Sequence, residues 1–183
     1  MRPESIEART NRGIALQNLG RLDEAGAEYR RVLELRPEDA LARFHLSLCL
    51  LSAGAYARAW PDYEARLANR EVASRVRQFP RWDGSACAGR TLLVYGEQGL
   101  GDQIMFASCL PDLIRTSARC IVESDPALRA LFARSFPDAC VYATDAGSQM
   151  RAEIDALTTD AEVPLGSLPL YFRTSPGAFP PHR

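Results

Sequence analysis

The feature that most restricts the fold is an internal repeat with a period of 34 residues in the first half of the chain. Setting each residue against the one a period later pairs Leu16 with Leu50, Gly20 with Gly54, Leu22 with Tyr56, Ala25 with Ala59 and Tyr29 with Tyr63. Gly13 pairs with Ser47, two small residues where neighbouring helices must approach closely. The first unit closes on Leu35-Arg36-Pro37, with a proline where a helix should stop. Repeated units of this kind cannot bury their apolar faces alone, and about three are needed for stability. Two units therefore require a cap, supplied by the adjoining C-terminal region or by further repeats upstream.

These small, aromatic and proline positions resemble the tetratricopeptide repeat, a helix–turn–helix unit. The resemblance implies repeats over residues 6–39 and 40–73, inside a helical region 1–76. Arg9 and Arg43 stand where the family usually has Trp, and Glu71 replaces the second terminal proline. The second repeat is thus expected to run on as a longer helix through Val76. The resemblance also implies a concave groove that binds a protein or peptide. In repeat two, Leu41, Phe44, Leu48 and Leu51 lie near groove-facing positions; in repeat one, Asn11, Gln17 and Asn18 suit hydrogen bonding to an extended backbone. The apolar set has a competing role in packing against a neighbouring helix.

Residues 77–90 break the helical period with Pro80, Gly84 and Gly89, and carry Phe79 and Trp82; they read as a packed linker. Beyond them Thr91–Tyr95 is an apolar, β-branched run leading into the glycine-punctuated loop Gly96–Gly101 and an apolar-periodic helix. Further strands are expected over 118–124 and 139–143, with a helix from Pro126 to Phe136, a loop over Asp145–Met150 and short apolar runs over 154–157 and 165–172. Strands alternating with helices imply a parallel sheet. The expected fold class is tetratricopeptide helical hairpins followed by a small Rossmann-like parallel α/β domain over 91–183.

Four motifs occur in order: Trp60-x-x-Tyr63-Glu64-x-Arg66, then Phe79-Pro80-x-Trp82-Asp83-Gly84, Gly89-Arg90-Thr91-Leu92-Leu93-Val94, and Glu97-Gln98-Gly99-Leu100-Gly101-Asp102. Together with Ser167-Leu168-Pro169-Leu170 the series resembles bacterial tetratricopeptide proteins with a C-terminal glycosyltransferase-like region, similar to the heptosyltransferases of the GT-B fold. The resemblance implies that this is the N-terminal half of such a fold, and that the chain stops before the domain that holds the nucleotide-sugar donor. No cofactor is expected in this chain, and no transferase activity from it alone. The expected acceptor is a glycan or a protein. The alternative is a non-catalytic interaction module, with the α/β part serving as a cap.

The loop itself favours an acid's work over phosphate binding. Its glycine order is not the dinucleotide fingerprint, no lysine follows, and Glu97 and Asp102 would repel a phosphate. Sugar transfer with inversion needs a carboxylate to take the proton of the attacking hydroxyl. The resemblance places that base at Asp102, with Gly99 and Gly101 letting backbone approach the acceptor and Glu97 and Gln98 orienting its hydroxyls. Asp is also a preferred helix N-cap, so Asp102 serves as cap, as base or as both.

Other chemistry is not indicated. The net charge of −1 offers no basic field for nucleic acid. The five cysteines form no C-x-x-C pair and read as reduced, partly buried residues of a cytoplasmic protein. His45 and His182 are far apart without metal-ligand spacing, and Glu123 reads as a solvated strand end. The first residues lack the apolar core of a secretory signal, and no apolar run approaches the ~20 residues of a membrane span.

Overall fold

The computed structural model describes residues 5–68, 79–143 and 158–180. The expected extension of repeat two through Val76, the loop Asp145–Met150, the run 154–157 and His182 lie outside the described residues. The chain divides into two compact units, Met1–Ser74 with Arg173–Arg183, and Arg75–Phe172.

The first unit contains helices α1 (Ile6–Asn18), α2 (Leu22–Leu35), α3 (Ala40–Ser52) and α4 (Tyr56–Tyr63), the last continued by a 3-10 turn over Glu64–Ala68. The 34-residue period is repeated bond for bond. Ser5 caps α1 by accepting from Ala8 N, and Asp39 caps α3 by accepting from Ala42 N. At the other end Gly20 N and Arg21 N donate to Gln17 O and Leu16 O, while Gly54 N and Ala55 N donate to Leu51 O and Leu50 O. Both turns need a left-handed residue, and Gly20 and Gly54 supply it at φ of 73° and 74°. Consecutive helices pack on one another along the chain. Their core is Leu16, Ala25, Tyr29, Val32, Ala42, Leu46 and Cys49.

The small residue at position 13 has a direct cause. A Cβ there would stand 2.6 Å from Cε1 of the fully buried Tyr29. The second copy departs from the first at Pro61, which aligns with Ala27. Proline inside a helix removes a backbone donor and crowds the carbonyl four residues back. The α-helix ends at Tyr63, two residues past this proline, and gives way to the 3-10 turn.

Trp60, Tyr63, Glu64 and Arg66 form one stack. Trp60 meets Tyr63 edge-on at 5.5 Å, the Arg66 guanidinium lies 4.6 Å over the Tyr63 ring, and Arg66 Nη1 donates to Glu64 Oε1 at 2.6 Å. The segment from Arg173 closes this end of the helical unit. Trp60 Nε1 donates to Arg173 O at 2.6 Å, and Phe179 packs on Tyr56 at 4.9 Å. The expected α/β domain ran to residue 183; the chain from Arg173 instead belongs with the helices, because Trp60 and Tyr56 offer it an aromatic surface.

The second unit is a four-stranded parallel sheet in the order β3-β2-β1-β4. Its strands are β1 (Thr91–Tyr95), β2 (Arg119–Ser124), β3 (Cys140–Ala143) and β4 (Ala161–Pro164). Between β1 and β2 run α5 (Leu100–Phe106), a 3-10 turn and α6 (Leu110–Thr116); between β2 and β3 runs α7 (Arg129–Ser135). β1 is buried from Leu92 to Tyr95, as a central parallel strand must be. The Phe79–Trp82 segment extends the sheet edge: Trp82 N donates to Glu162 O and Glu162 N donates to Pro80 O, both at 2.8 Å. Trp82 packs on Tyr171 at 4.7 Å, and Phe79 covers Leu93 and Ile121.

Candidate functional site

The chain crosses from β1 to β2 to β3 on one side and returns to add β4 on the other. The strand order therefore reverses between β1 and β4, and in open parallel sheets ligands bind beyond the carboxyl ends at that reversal. Two segments meet there: Gly96-Glu97-Gln98-Gly99 after β1, and Leu165-Gly166-Ser167 after β4.

Glu97 spans the two. Its Oε2 accepts from Gly166 N at 3.4 Å and its Oε1 accepts from Gln98 Nε2 at 3.3 Å. Both contacts sit at the long end of hydrogen bonding, where a hydroxyl approaching at about 2.7 Å competes well. Glu97 and Gln98 are half-buried.

Asp102 does not cap the helix. α5 starts at Leu100, so the N-cap is Gly99, which has no side chain to give, and Asp102 is the third helical residue. It is half-buried, with Oδ2 3.6 Å from where a Cβ on Gly99 would sit. Beside it, a Cβ on Gly101 would meet nothing within 4 Å. The two glycines thus keep the surface around this carboxylate open. The apolar residues of this stretch divide between core and surface. Ile104 is 51% exposed, and Leu100 and Met105 stand out with it; Gln103, Phe106, Ala107 and Leu110 face inward.

The residue that organises the loop is one that motif reasoning passed over. Gln103 is buried, its Nε2 donates to Gln98 O at 2.9 Å, and its Oε1 accepts from Asp125 N at 3.0 Å. Its amide fills the space a side chain at position 96 would need: a Cβ there would lie 2.6 Å from Gln103 Cδ. Gly96 adopts no positive φ, so its glycine reflects a neighbour and not a turn. No local pattern announces such a pairing. Glu123 is half-buried at its strand end, and its carbonyl accepts from Gly96 N at 2.9 Å.

The residues proposed for a protein groove lie in the helical unit. Asn11 and Asn18 are exposed, and Leu41 is 52% exposed. Phe44, Leu48 and Leu51 are half-buried, and Phe44 packs on Tyr63 at 5.6 Å. Gln17 has other work. Its Oε1 accepts from Tyr29 Oη at 3.0 Å and from His45 Nδ1 at 3.1 Å, and the two rings stack at 5.4 Å. Because Oε1 only accepts, Nδ1 carries the His45 proton. Burial lowers the His45 pKa and pushes the Tyr29 phenol up to about 12. His45 and Gln17 therefore tie repeat one to repeat two.

Among the described residues no group of three or more His, Cys, Asp or Glu could hold a metal ion, and no helix is long and apolar enough to cross a membrane.

No protein-family model matches the chain. Over 143 residues it is 32% identical to Protein FlbA of Caulobacter vibrioides (strain ATCC 19089 / CIP 103742 / CB 15), an alignment that covers 74% of this chain and 24% of that protein. The chain thus corresponds to about a quarter of the length of the curated relative it matches.

Proposed function

We propose that the chain is the N-terminal part of a glycosyltransferase-like protein. Tetratricopeptide-type repeats dock a protein or peptide, and a Rossmann-like half-domain presents an acceptor-side half-site at Glu97–Asp102. The observation that carries this reading is Glu97 reaching Gly166 N across the strand reversal, with Asp102 in the first turn of α5 between Gly101 and the buried Gln103. Two carboxylates at such a site suit a hydroxylated acceptor and repel a phosphate. Asp102 is the base, Glu97 and Gln98 orient hydroxyls, and a nucleotide-sugar donor is held by a domain beyond this chain.

Titrating the labelled chain with a panel of neutral mono- and disaccharides tests the half-site. Amide shifts confined to Gly96–Asp102 and Gly166, and lost in Glu97→Gln, support it; no saccharide response at millimolar concentration refutes it. The chain alone turns over no nucleotide-sugar, and detectable turnover would overturn that part. Joined to a donor-binding domain, Asp102→Asn abolishes transfer.

A second reading, a non-catalytic interaction module, is favoured by the stripe Leu41, Phe44, Leu48 and Leu51, which stays partly open to solvent. Polar replacement of Leu48 and Leu51 would then weaken capture of a protein partner, while Asp102→Asn leaves it intact.

A further inference from the structure

Three loops leave the carboxyl ends of β1, β2 and β4, and the strand reversal lies between the first and the last of these. Loops of this kind are ordinarily the mobile parts of a fold. Here the first two are joined by one side chain. Gln103 projects from the buried face of α5, one residue after Asp102 and on the helix whose N-cap is Gly99. Its carboxamide hydrogen bonds, one given and one taken, go to the loop after β1 at Gln98 O and to the segment after β2 at Asp125 N. Its backbone N–H donates to Gly99 O at 3.0 Å, the first helical hydrogen bond of α5. A buried amide satisfied at both ends has one orientation, since exchanging its oxygen and nitrogen would set donor against donor and acceptor against acceptor.

The structure assigns Gln103 as the positioning residue of the half-site: it locks the Glu97–Gln98 loop to the Asp125 segment and so sets where Glu97 and Asp102 stand. Gly96 is the complement of this lock, because any side chain there would occupy the space of the carboxamide. Its purpose rests on the acceptor-site reading; its geometry does not. The two residues form a size pair. Gly96→Ala drives a methyl into Gln103 Cδ, and Gln103→Ala empties the same space, so the double variant folds better than Gly96→Ala alone while the lock stays broken.

Amide exchange and side-chain carboxyl carbon resonances of the whole 183-residue chain test this. In Gln103→Ala the Asp125 amide loses its acceptor and exchanges faster by about tenfold, the equivalent of one buried hydrogen bond. Gln103→Glu preserves the volume and the acceptor, so Asp125 stays protected while the bond to Gln98 O is lost. In both variants the Glu97 and Asp102 carboxyl resonances move. Leu93 and Val94 in β1 report global stability and stay protected in Gln103→Glu and in the double variant. An unchanged Asp125 amide in Gln103→Ala would overturn the assignment. So would carboxyl resonances that stay put in Gln103→Glu, and so would changes that only track Leu93 and Val94. If the wild-type chain binds no saccharide, the acceptor reading falls, and the Asp125 and carboxyl signals still decide the lock.

Discussion

Gly13 and Gly26 both sit inside helices of the same unit, yet adding one methyl should move its stability in opposite directions. In a helix interior, alanine is better than glycine by about 0.8–1 kcal/mol, which applies to both positions. At Gly26 the new Cβ would find Arg30 Nη1 at 3.6 Å and Leu46 Cδ1 at 3.7 Å, ordinary contact distances. Gly26→Ala therefore stabilises the unit by about 0.5–1 kcal/mol. At Gly13 the same atom would lie 2.6 Å from Tyr29 Cε1 and 2.8 Å from Cζ. Tyr29 is fully buried and holds Gln17 through its hydroxyl, so the ring has no free direction. Overpacking of this kind costs about 1–3 kcal/mol, and displacing the phenol weakens a hydrogen bond worth about 1 kcal/mol. The helix gain offsets only part, leaving Gly13→Ala destabilising by about 1–3 kcal/mol. Hydrogen exchange at the Tyr29 and Leu46 amides reads the free energy of this unit without interference from the sheet. Gly13→Ala matching or exceeding Gly26→Ala in stability would refute the close approach of α1 to Tyr29.

Two further outcomes concern the same helices. Burial lowers the His45 pKa below its ordinary 6.5, so the neutral ring is the form the folded unit prefers. Its contribution is complete above the unfolded value and is lost as pH falls through the folded one; urea midpoints compared from about pH 7.5 to about pH 5 should fall more steeply in the wild type than in His45→Gln. Equal slopes would show that burial of His45 has no thermodynamic weight. Trp60→Phe keeps the ring but removes the donor to Arg173 O, a loss of about 0.5–1.5 kcal/mol that loosens the terminal segment. Trypsin should then cut after the buried Arg173 up to about tenfold faster, and an unchanged rate would mean that the aromatic contacts alone hold the segment.

Much of the architecture was legible because it rests on local rules. A 34-residue offset between glycines, small residues and tyrosines is a statement about turns and helix contact, and the structure repeats it hydrogen bond by hydrogen bond. Thr91–Tyr95 reads as a strand from its β-branched and apolar content, and it is one to the residue. β4 was not legible. Ala161-Glu162-Val163-Pro164 offers a carboxylate and a proline where a strand should offer apolar residues, yet Glu162 is 1% exposed. Its strand character comes from partners far along the chain, Leu93 on one side and Pro80–Trp82 on the other. Pairing of that range leaves no period to read.

The loop after β1 shows the same division at the scale of single atoms. Residue types identify Glu97 and Asp102 as acids that a sheet of this kind would carry to its carboxyl edge, and strand–turn–helix order fixes which edge. Residue types also mislead: an aspartate ahead of an apolar run suggests a cap, but the cap belongs to the residue whose carbonyl starts the helix, and that is Gly99. How the turn from β1 into α5 is held depends on a glutamine whose two partners stand five residues before it and 22 after it. A glutamine inside a helix is among the least informative residues in a sequence, because exposure is its ordinary fate. Burial turns it into a constraint, since a buried carboxamide must find both of its partners or cost the fold. The glycine at position 96 was visible from the start; what it makes room for became visible only with Gln103 in place.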